Sequence, residues 1–255
     1  VFSVYDKPHG VFAHEPEPLP KNLKGLSRLV RAKRLDVGFA QDPDADRLAI
    51  VSEKGAAIGE ELTLGLAMKF ILTYRKKGVV VANLSASGLI DHIARQAGVK
   101  LVRTKVGESN VVVEMKKRKA LIGGEGNGGV IFPKINYGRD SIVGMGLVLE
   151  YLAKSRKKVS ELVGELPAFE MIKGKFHCPL VKTTDVLNNL REFYRDENID
   201  VTDGLKVQWA GKWVHVRSSN TEPIIRMIVE AGTKKEAAAL YTEVGAKIDA
   251  VIARG

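Results

Sequence analysis

The spacing of apolar residues changes along the 255 residues of this chain, and each change marks a different kind of element. The first 35 residues contain His14-Glu15-Pro16-Glu17-Pro18-Leu19-Pro20. Proline at every second position blocks regular helix and a central strand, so this stretch reads as a loop, with a short helix over 21–32 after it. Two short apolar runs, 36–40 and 48–53, read as buried strands around an acidic turn. From Gly59 the pattern alternates. Leu62, Leu66 and Phe70 recur at helical spacing over 60–74, and strands are expected at 79–82, 99–103 and 120–122. Helices are expected between them at 87–97 and 109–118. A glycine-rich loop follows, then a strand at 130–132 and a helix over 140–153. This alternation predicts an α/β layer with a mostly parallel sheet.

The last third has a different rhythm. A strand at 169–177 and a helix at 184–195 precede a hairpin of 205–209 and 213–217 about Ala210-Gly211. Another strand covers 224–230, and Thr233 with Glu236 gives a capping-box start for a final helix. Hairpin-linked strands with helices on one side predict a smaller α+β domain. The expected division is 1–57, 58–158 and 159–255, with the last boundary between about 156 and 165.

Composition narrows the class. Hydrophobic residues are 45% and charged residues 27%, a soluble globular profile. No apolar run reaches the roughly 18 residues a membrane span needs. The one cysteine, Cys178, has no intrachain partner, which favours a reduced, cytoplasmic setting. The start, Val1-Phe2-Ser3-Val4-Tyr5, has neither Met nor a basic region before an apolar one, which argues against a signal peptide and points to a piece of a longer polypeptide. Lys and Arg outnumber Asp and Glu by 40 to 30, a net charge of +10, which suits anionic ligands. The basic clusters Arg75-Lys76-Lys77, Lys116 to Lys119 and Lys154 to Lys158 fall at the ends of expected helices, where they complement the helix dipole. Few aromatics are interleaved with them, so nucleic acid is disfavoured as a partner.

Three constellations carry chemistry. In Asp42-Pro43-Asp44-Ala45-Asp46-Arg47, three carboxylates repel one another unless a cation neutralises them, and hard oxygen ligands suit Mg²⁺ or Ca²⁺. An EF-hand fails here, because its sixth position needs Gly and holds Arg47, and the flanks read as strands. Arg47 offers a planar fork for phosphate oxygens. The run Gly123-Gly124-Glu125-Gly126-Asn127-Gly128-Gly129 contains a formal G-x-G-x-x-G. A strand ended by Pro133 follows where a dinucleotide fingerprint requires a helix. The glycines instead admit a ligand close to the backbone, with Glu125 and Asn127 to meet the hydroxyls of a polyol such as a sugar. Arg217-Ser218-Ser219-Asn220-Thr221-Glu222-Pro223 is a dense donor loop between strands, suited to a phosphate, with Glu222 able to hold Arg217 or Arg226. Each has a plain alternative: an acidic surface turn, a mobile loop, a capped hairpin. Lys105 is a further candidate.

In order, these loops resemble those of the α-D-phosphohexomutase superfamily, which includes phosphomannomutase/phosphoglucomutase and phosphoglucosamine mutase. Asp42 to Arg47 is similar to its D-x-D-x-D-R metal loop, Glu125 to Gly129 to its G-E-x-S/N-G sugar loop, and Arg217 to Pro223 to its phosphate loop. Pro16-Glu17-Pro18 with Asn22-Leu23, and Thr104-Lys105-Val106-Gly107, also look like family segments. The sugar loop often carries Ser and His where this chain has Asn127 and Gly129. The resemblance implies mixed α/β layer domains, the family's domains 2 and 3, followed by a smaller α+β domain 4. It implies reversible phosphoryl transfer between O1 and O6 of a hexose phosphate through a hexose 1,6-bisphosphate. Mg²⁺ would sit on Asp42, Asp44 and Asp46, with Arg47 and Lys105 assisting catalysis. Glu125 and Asn127 would hold the sugar, and Arg217, Ser219, Asn220, Thr221 and Arg226 the phosphate. The family's phosphoserine loop, of the T-x-S-H-N type, has no counterpart here, since Asn83-Leu84-Ser85-Ala86-Ser87-Gly88 does not match. The chain is therefore expected to lack the phosphoserine domain and to be inactive alone. A non-catalytic module for sugar phosphate and Mg²⁺ is the alternative.

Overall fold

The computed structural model describes residues 1–7, 10–75, 77–219 and 222–254. Asn220, Thr221 and Lys76, named above, lie outside the described residues. The described residues form two compact units, Val1–Pro167 and Ala168–Gly255.

In the first unit the prolines of the opening segment give way to a single turn at Pro20–Asn22 and then to α1 (Lys24–Lys33). α1 buries Leu26 and Val30 and stops where Arg34 turns left-handed at φ 52°. Strands β1 (Val37–Gln41) and β2 (Leu48–Ser52) pair antiparallel, Gln41 opposite Leu48, and the acidic turn joins them. Strand flanks confirm that this turn is no EF-hand.

α2 (Glu60–Tyr74) buries residues on every side, Leu64, Leu66, Met68 and Phe70 among them, so it runs through the interior rather than along the surface. Then come β3 (Val79–Asn83), α3 (Leu89–Gln96), β4 (Lys100–Thr104), α4 (Glu108–Arg118), β5 (Ile122–Glu125), β6 (Gly129–Ile131), α5 (Ser141–Ser155) and α6 (Val159–Gly164). The sheet order is β4-β3-β5-β6. β3 pairs parallel with both β4 and β5, while β6 returns antiparallel to β5. The expected parallel layer is present, with one difference. Much of the expected glycine loop is strand, and only residues 126–128 form the turn. The glycines serve close packing there: a Cβ on Gly123 would sit 2.6 Å from both Met115 Sδ and the Val81 carbonyl oxygen.

The second unit has β7 (Glu170–His177), α7 (Leu180–Phe193), β8 (Asn198–Asp200), β9 (Leu205–Trp209), β10 (Lys212–Ser218), β11 (Ile224–Ala231) and α8 (Lys234–Ala253). Its antiparallel sheet runs β7-β11-β10-β9-β8. Alternate residues Val214, Val216, Ile225, Met227 and Val229 pack with Val186, Leu190, Leu240 and Val244 of the two helices. The Thr233 side chain accepts the Glu236 N–H at 3.2 Å and starts α8 as expected. The division between units falls after Pro167, later than the expected 158. α6 belongs to the first unit because Val159 and Leu162 are buried in it and Ser160 bonds Glu53.

Candidate functional site

The acidic turn is held by hydrogen bonds from within and from later elements. Asp42 is 5% exposed and accepts from the backbone N–H of Arg47 at 2.9 Å and from its Nε at 2.5 Å. Ala45 adopts φ 58°, a left-handed conformation that costs an alanine roughly 1 kcal/mol or more. Its carbonyl accepts the Ser141 hydroxyl of α5 at 2.6 Å, and Leu48 N–H reaches the Gly128 carbonyl at 3.1 Å. Two later elements thus clamp the turn. Asp42, Asp44 and Asp46 each offer an oxygen within 4.8 Å of the others.

Burial pushes the Asp46 carboxyl above its ordinary range; Arg139 pulls it down, and the Asp42 and Asp44 charges push it up again. Burial also pushes Asp42 up, but the Arg47 hydrogen bonds outweigh it and hold Asp42 low. Among the described residues, Asp46 Oδ1 is buried and accepts no hydrogen bond; Arg47 Nε lies 3.6 Å from it, an ion pair too long to be one. An all-oxygen donor set in which one buried oxygen accepts no hydrogen bond fits a hard divalent cation such as Mg²⁺.

The parallel strands β3, β4 and β5 end together at Asn83, Thr104 and Glu125. β3 leads away to β4 on one side and β5 to β6 on the other, so the chain diverges at the β3/β5 boundary, the crevice where open α/β sheets bind ligands. Glu125 lies there, 3% exposed. Its Oε1 accepts from Asn83 Nδ2 at 2.7 Å and Gly107 N–H at 2.9 Å, and its Oε2 from Arg139 Nη1 at 2.6 Å. A carboxylate has about four acceptor positions, so one remains. Asn83 Oδ1 is a buried acceptor with no partner among the described residues. Asn127 is half-buried and accepts the Gly129 N–H at 3.3 Å. Lys105 is exposed just beyond β4. The structure therefore gathers the metal-loop candidates, Glu125, Asn127 and Lys105 within one unit.

Sequence reasoning missed Arg139 and Asn83. Arg139 joins the two loops: it pairs with Asp46 through Nη2 and with Glu125 through Nη1. The available signal was a cation directly before Asp140, the N-cap of α5, where the helix dipole disfavours positive charge.

In the second unit, Arg217 stands opposite Arg226, and Arg226 opposite Lys175, across β10, β11 and β7. Like charges in such a row are destabilising unless an anion offsets them. Glu222 does so in part, accepting from Arg226 Nη2 at 2.5 Å and lying 4.0 Å from Lys175 Nζ. Of the two arginines offered to Glu222, Arg226 is the one it holds. Ser219 is buried, its N–H bonded to the Ile224 carbonyl at 3.0 Å and its hydroxyl accepting Glu222 N–H at 3.3 Å.

Three family models match in consecutive order. They are phosphoglucomutase/phosphomannomutase alpha/beta/alpha domain II over residues 1–55, alpha/beta/alpha domain III over 59–169, and the C-terminal domain over 175–246. A Thermococcus kodakarensis protein named "Phosphoglucomutase/phosphomannomutase" is 40% identical over 97% of this chain and 55% of its own length. A Methanopyrus kandleri protein named "Probable phosphoglucosamine mutase" is 38% identical over 95% of this chain and 54% of its own. The chain thus spans about half the length of the curated relatives it matches. A crystal structure of a phosphoglucomutase/phosphomannomutase family protein from Burkholderia thailandensis shares the fold, with a TM-score of 0.81 over 95% of this chain and 53% of that one at 24% identity. Matched from its first residues into the final helix of its second unit, this chain belongs to the phosphoglucomutase/phosphomannomutase family.

Proposed function

We propose that this chain supplies the cation, sugar and phosphate sites of a phosphohexomutase that moves a phosphoryl group between O1 and O6 of a hexose phosphate through a hexose 1,6-bisphosphate. The observation that carries this reading is the cluster of three carboxylates, one buried Asp46 oxygen accepting no hydrogen bond, tied through one arginine to Glu125 at the strand ends. Asp42, Asp44 and Asp46 would hold Mg²⁺, which when bound offsets negative charge on the transferring phosphoryl group. Arg47 is fixed to Asp42 through Nε, leaving the outer edge of its guanidinium for phosphate oxygens. Glu125, with one acceptor position left, Asn83 and Asn127 receive sugar hydroxyls. Lys105 contacts the sugar or moves a proton.

Arg217, Ser219 and Arg226, with Asn220 and Thr221, hold the phosphate that is not reacting. Such transfer is mainly positioning plus electrostatic stabilisation, and these side chains supply both. The substrates are mannose or glucose phosphates, with glucosamine phosphate the alternative that the second relative's name raises. A soluble sugar phosphate and a free, buried Cys178 fit a cytoplasmic setting.

Calorimetric titration of this chain with mannose 6-, glucose 6- and glucosamine 6-phosphate in Mg²⁺ tests the binding half, and binding of none of them would refute it. The chain alone is expected to show no steady conversion of a hexose 1-phosphate, because no serine segment in it resembles the phosphoserine loop. A non-catalytic sugar-phosphate module would give the same binding, and it is separated by a turnover assay with hexose bisphosphate on the protein that contains this chain.

A further inference from the structure

Arg139 is 17% exposed at its side chain and faces three carboxylates from three different elements. Nη2 pairs with Asp46 Oδ2 in the acidic turn. Nη1 donates to Glu125 Oε2 at 2.6 Å at the end of β5. Nε lies 3.7 Å from Glu108 Oε2 in the first turn of α4, and the Arg139 backbone N–H donates to the other Glu108 oxygen at 2.7 Å. The stem of the side chain runs over Gly129. A Cβ there would stand 3.0 Å from Arg139 Cγ and closer still to Cδ, so only glycine leaves the arginine its path.

The division of labour at Asp46 is informative. Arg139 occupies Oδ2, while Oδ1 is buried, accepts no hydrogen bond among the described residues and has Arg47 Nε 3.6 Å away as a longer ion pair. A carboxylate held by one oxygen presents the other in a fixed direction, as groups behind a metal site commonly do. We propose that Arg139 is the positioning residue of this site: it turns Asp46 Oδ1 toward a divalent cation and, with the same guanidinium, fixes Glu125 for the sugar. This rests on the reading of Asp42, Asp44 and Asp46 as cation ligands.

The sign of the effect separates positioning from charge. As a bare positive charge beside the site, Arg139 would weaken cation binding, and removing it would tighten binding. As a positioning group it strengthens binding, and a lysine cannot replace it, since an ammonium does not span two carboxylates as a planar fork does. The experiment titrates the 255-residue chain with Mn²⁺, following the free aqua ion by electron paramagnetic resonance and competing with Mg²⁺. Unaltered protein, Arg139→Met, Arg139→Lys and Gly129→Ala are compared, each with a circular-dichroism melt.

The unaltered chain is expected to bind one Mn²⁺. Both Arg139 variants should bind it roughly ten- to a hundredfold more weakly. Gly129→Ala, which displaces the stem and leaves every charge in place, should lose affinity in the same direction. Equal or tighter binding by Arg139→Met, or full rescue by Arg139→Lys, overturns the inference and leaves the metal reading standing. Should Arg139→Met fail to fold, Gly129→Ala decides by the same criterion. Absence of Mn²⁺ binding by the unaltered chain overturns the metal reading and the inference together.

Discussion

Arg217 Nη1 reaches the Ser218 carbonyl at 3.3 Å, and the residue stands beside Arg226 in the cationic row. A charge-assisted hydrogen bond to phosphate contributes roughly 1.5–3 kcal/mol, and each 1.4 kcal/mol is about tenfold in affinity. Arg217→Ala should weaken hexose-phosphate binding by roughly ten- to a hundredfold and barely move the melting temperature, and titration beside a melting curve checks both. His215 makes a second prediction. It is 1% exposed, and its Nε2 lies 2.6 Å from the Asp203 carbonyl, which can only accept, so the proton is on Nε2. Burial foremost, with the Lys206 and Arg217 charges adding to it and Asp203 opposing, lowers its pKa to about 4. The folded state therefore keeps the imidazole neutral where the unfolded chain protonates it. This stability is whole above the unfolded value of about 6.5 and is lost as pH falls toward 4, at most roughly 3 kcal/mol. Both tryptophans, Trp209 and Trp213, lie in the second unit, so their fluorescence in urea titrations at pH 7 and 5 reads it. The loss between these pH values should shrink in His215→Gln. The acidic triplet and the glycine run were visible as sequence because each is local. Arg139 was not, because its partners lie 14, 31 and 93 residues away in the chain and no spacing rule links them. Asn83 was hidden for the same reason, since the Glu125 it bonds lies 42 residues away.

At the level of elements, periodicity found the long helices and the buried strands, and it failed where glycine hid a strand. Gly123 and Gly124 carry no side chain from which alternation could be read, yet both are in β5, and their neighbours require it. Gly124 has φ 155°, and a Cβ there would run into the Gly129 carbonyl oxygen and stand 3.0 Å from Leu64 Cδ1. Gly124→Ala should therefore open the β5–β6 hairpin. The expected cost is a few kcal/mol, the scale of a strained backbone or an overpacked core. Because Glu125 follows directly, sugar-phosphate affinity should fall with it. A variant that melts normally and binds normally would show that the hairpin tolerates the methyl group. The short elements α6 and β8 carry too few residues for any period to show, and only their packing reveals them.

For the molecule as a whole, two classes of domain were readable in the sequence because the change from strand–helix alternation to hairpins is a change of connectivity. The seam between them was not, since α6 looks like the start of whatever follows it until its buried Val159 and Leu162 are seen to belong to the first unit. The excess of positive charge, +10 overall, is spread over helix ends as well as the cationic row, so net charge alone could not locate a binding site. That seam has a practical meaning for handling the protein. Residues 167–169 have no regular structure, and Glu165 and Ala168 are exposed on either side of Pro167. The second unit beyond them has its own five-stranded sheet and its own core. A dilute, unspecific protease should nick the chain there first and leave two resistant pieces, the smaller beginning near residue 168 and keeping the Arg217–Arg226–Lys175 row intact. Mass spectrometry of a brief digest would read the cut site directly, and an even ladder of fragments from both units would contradict it.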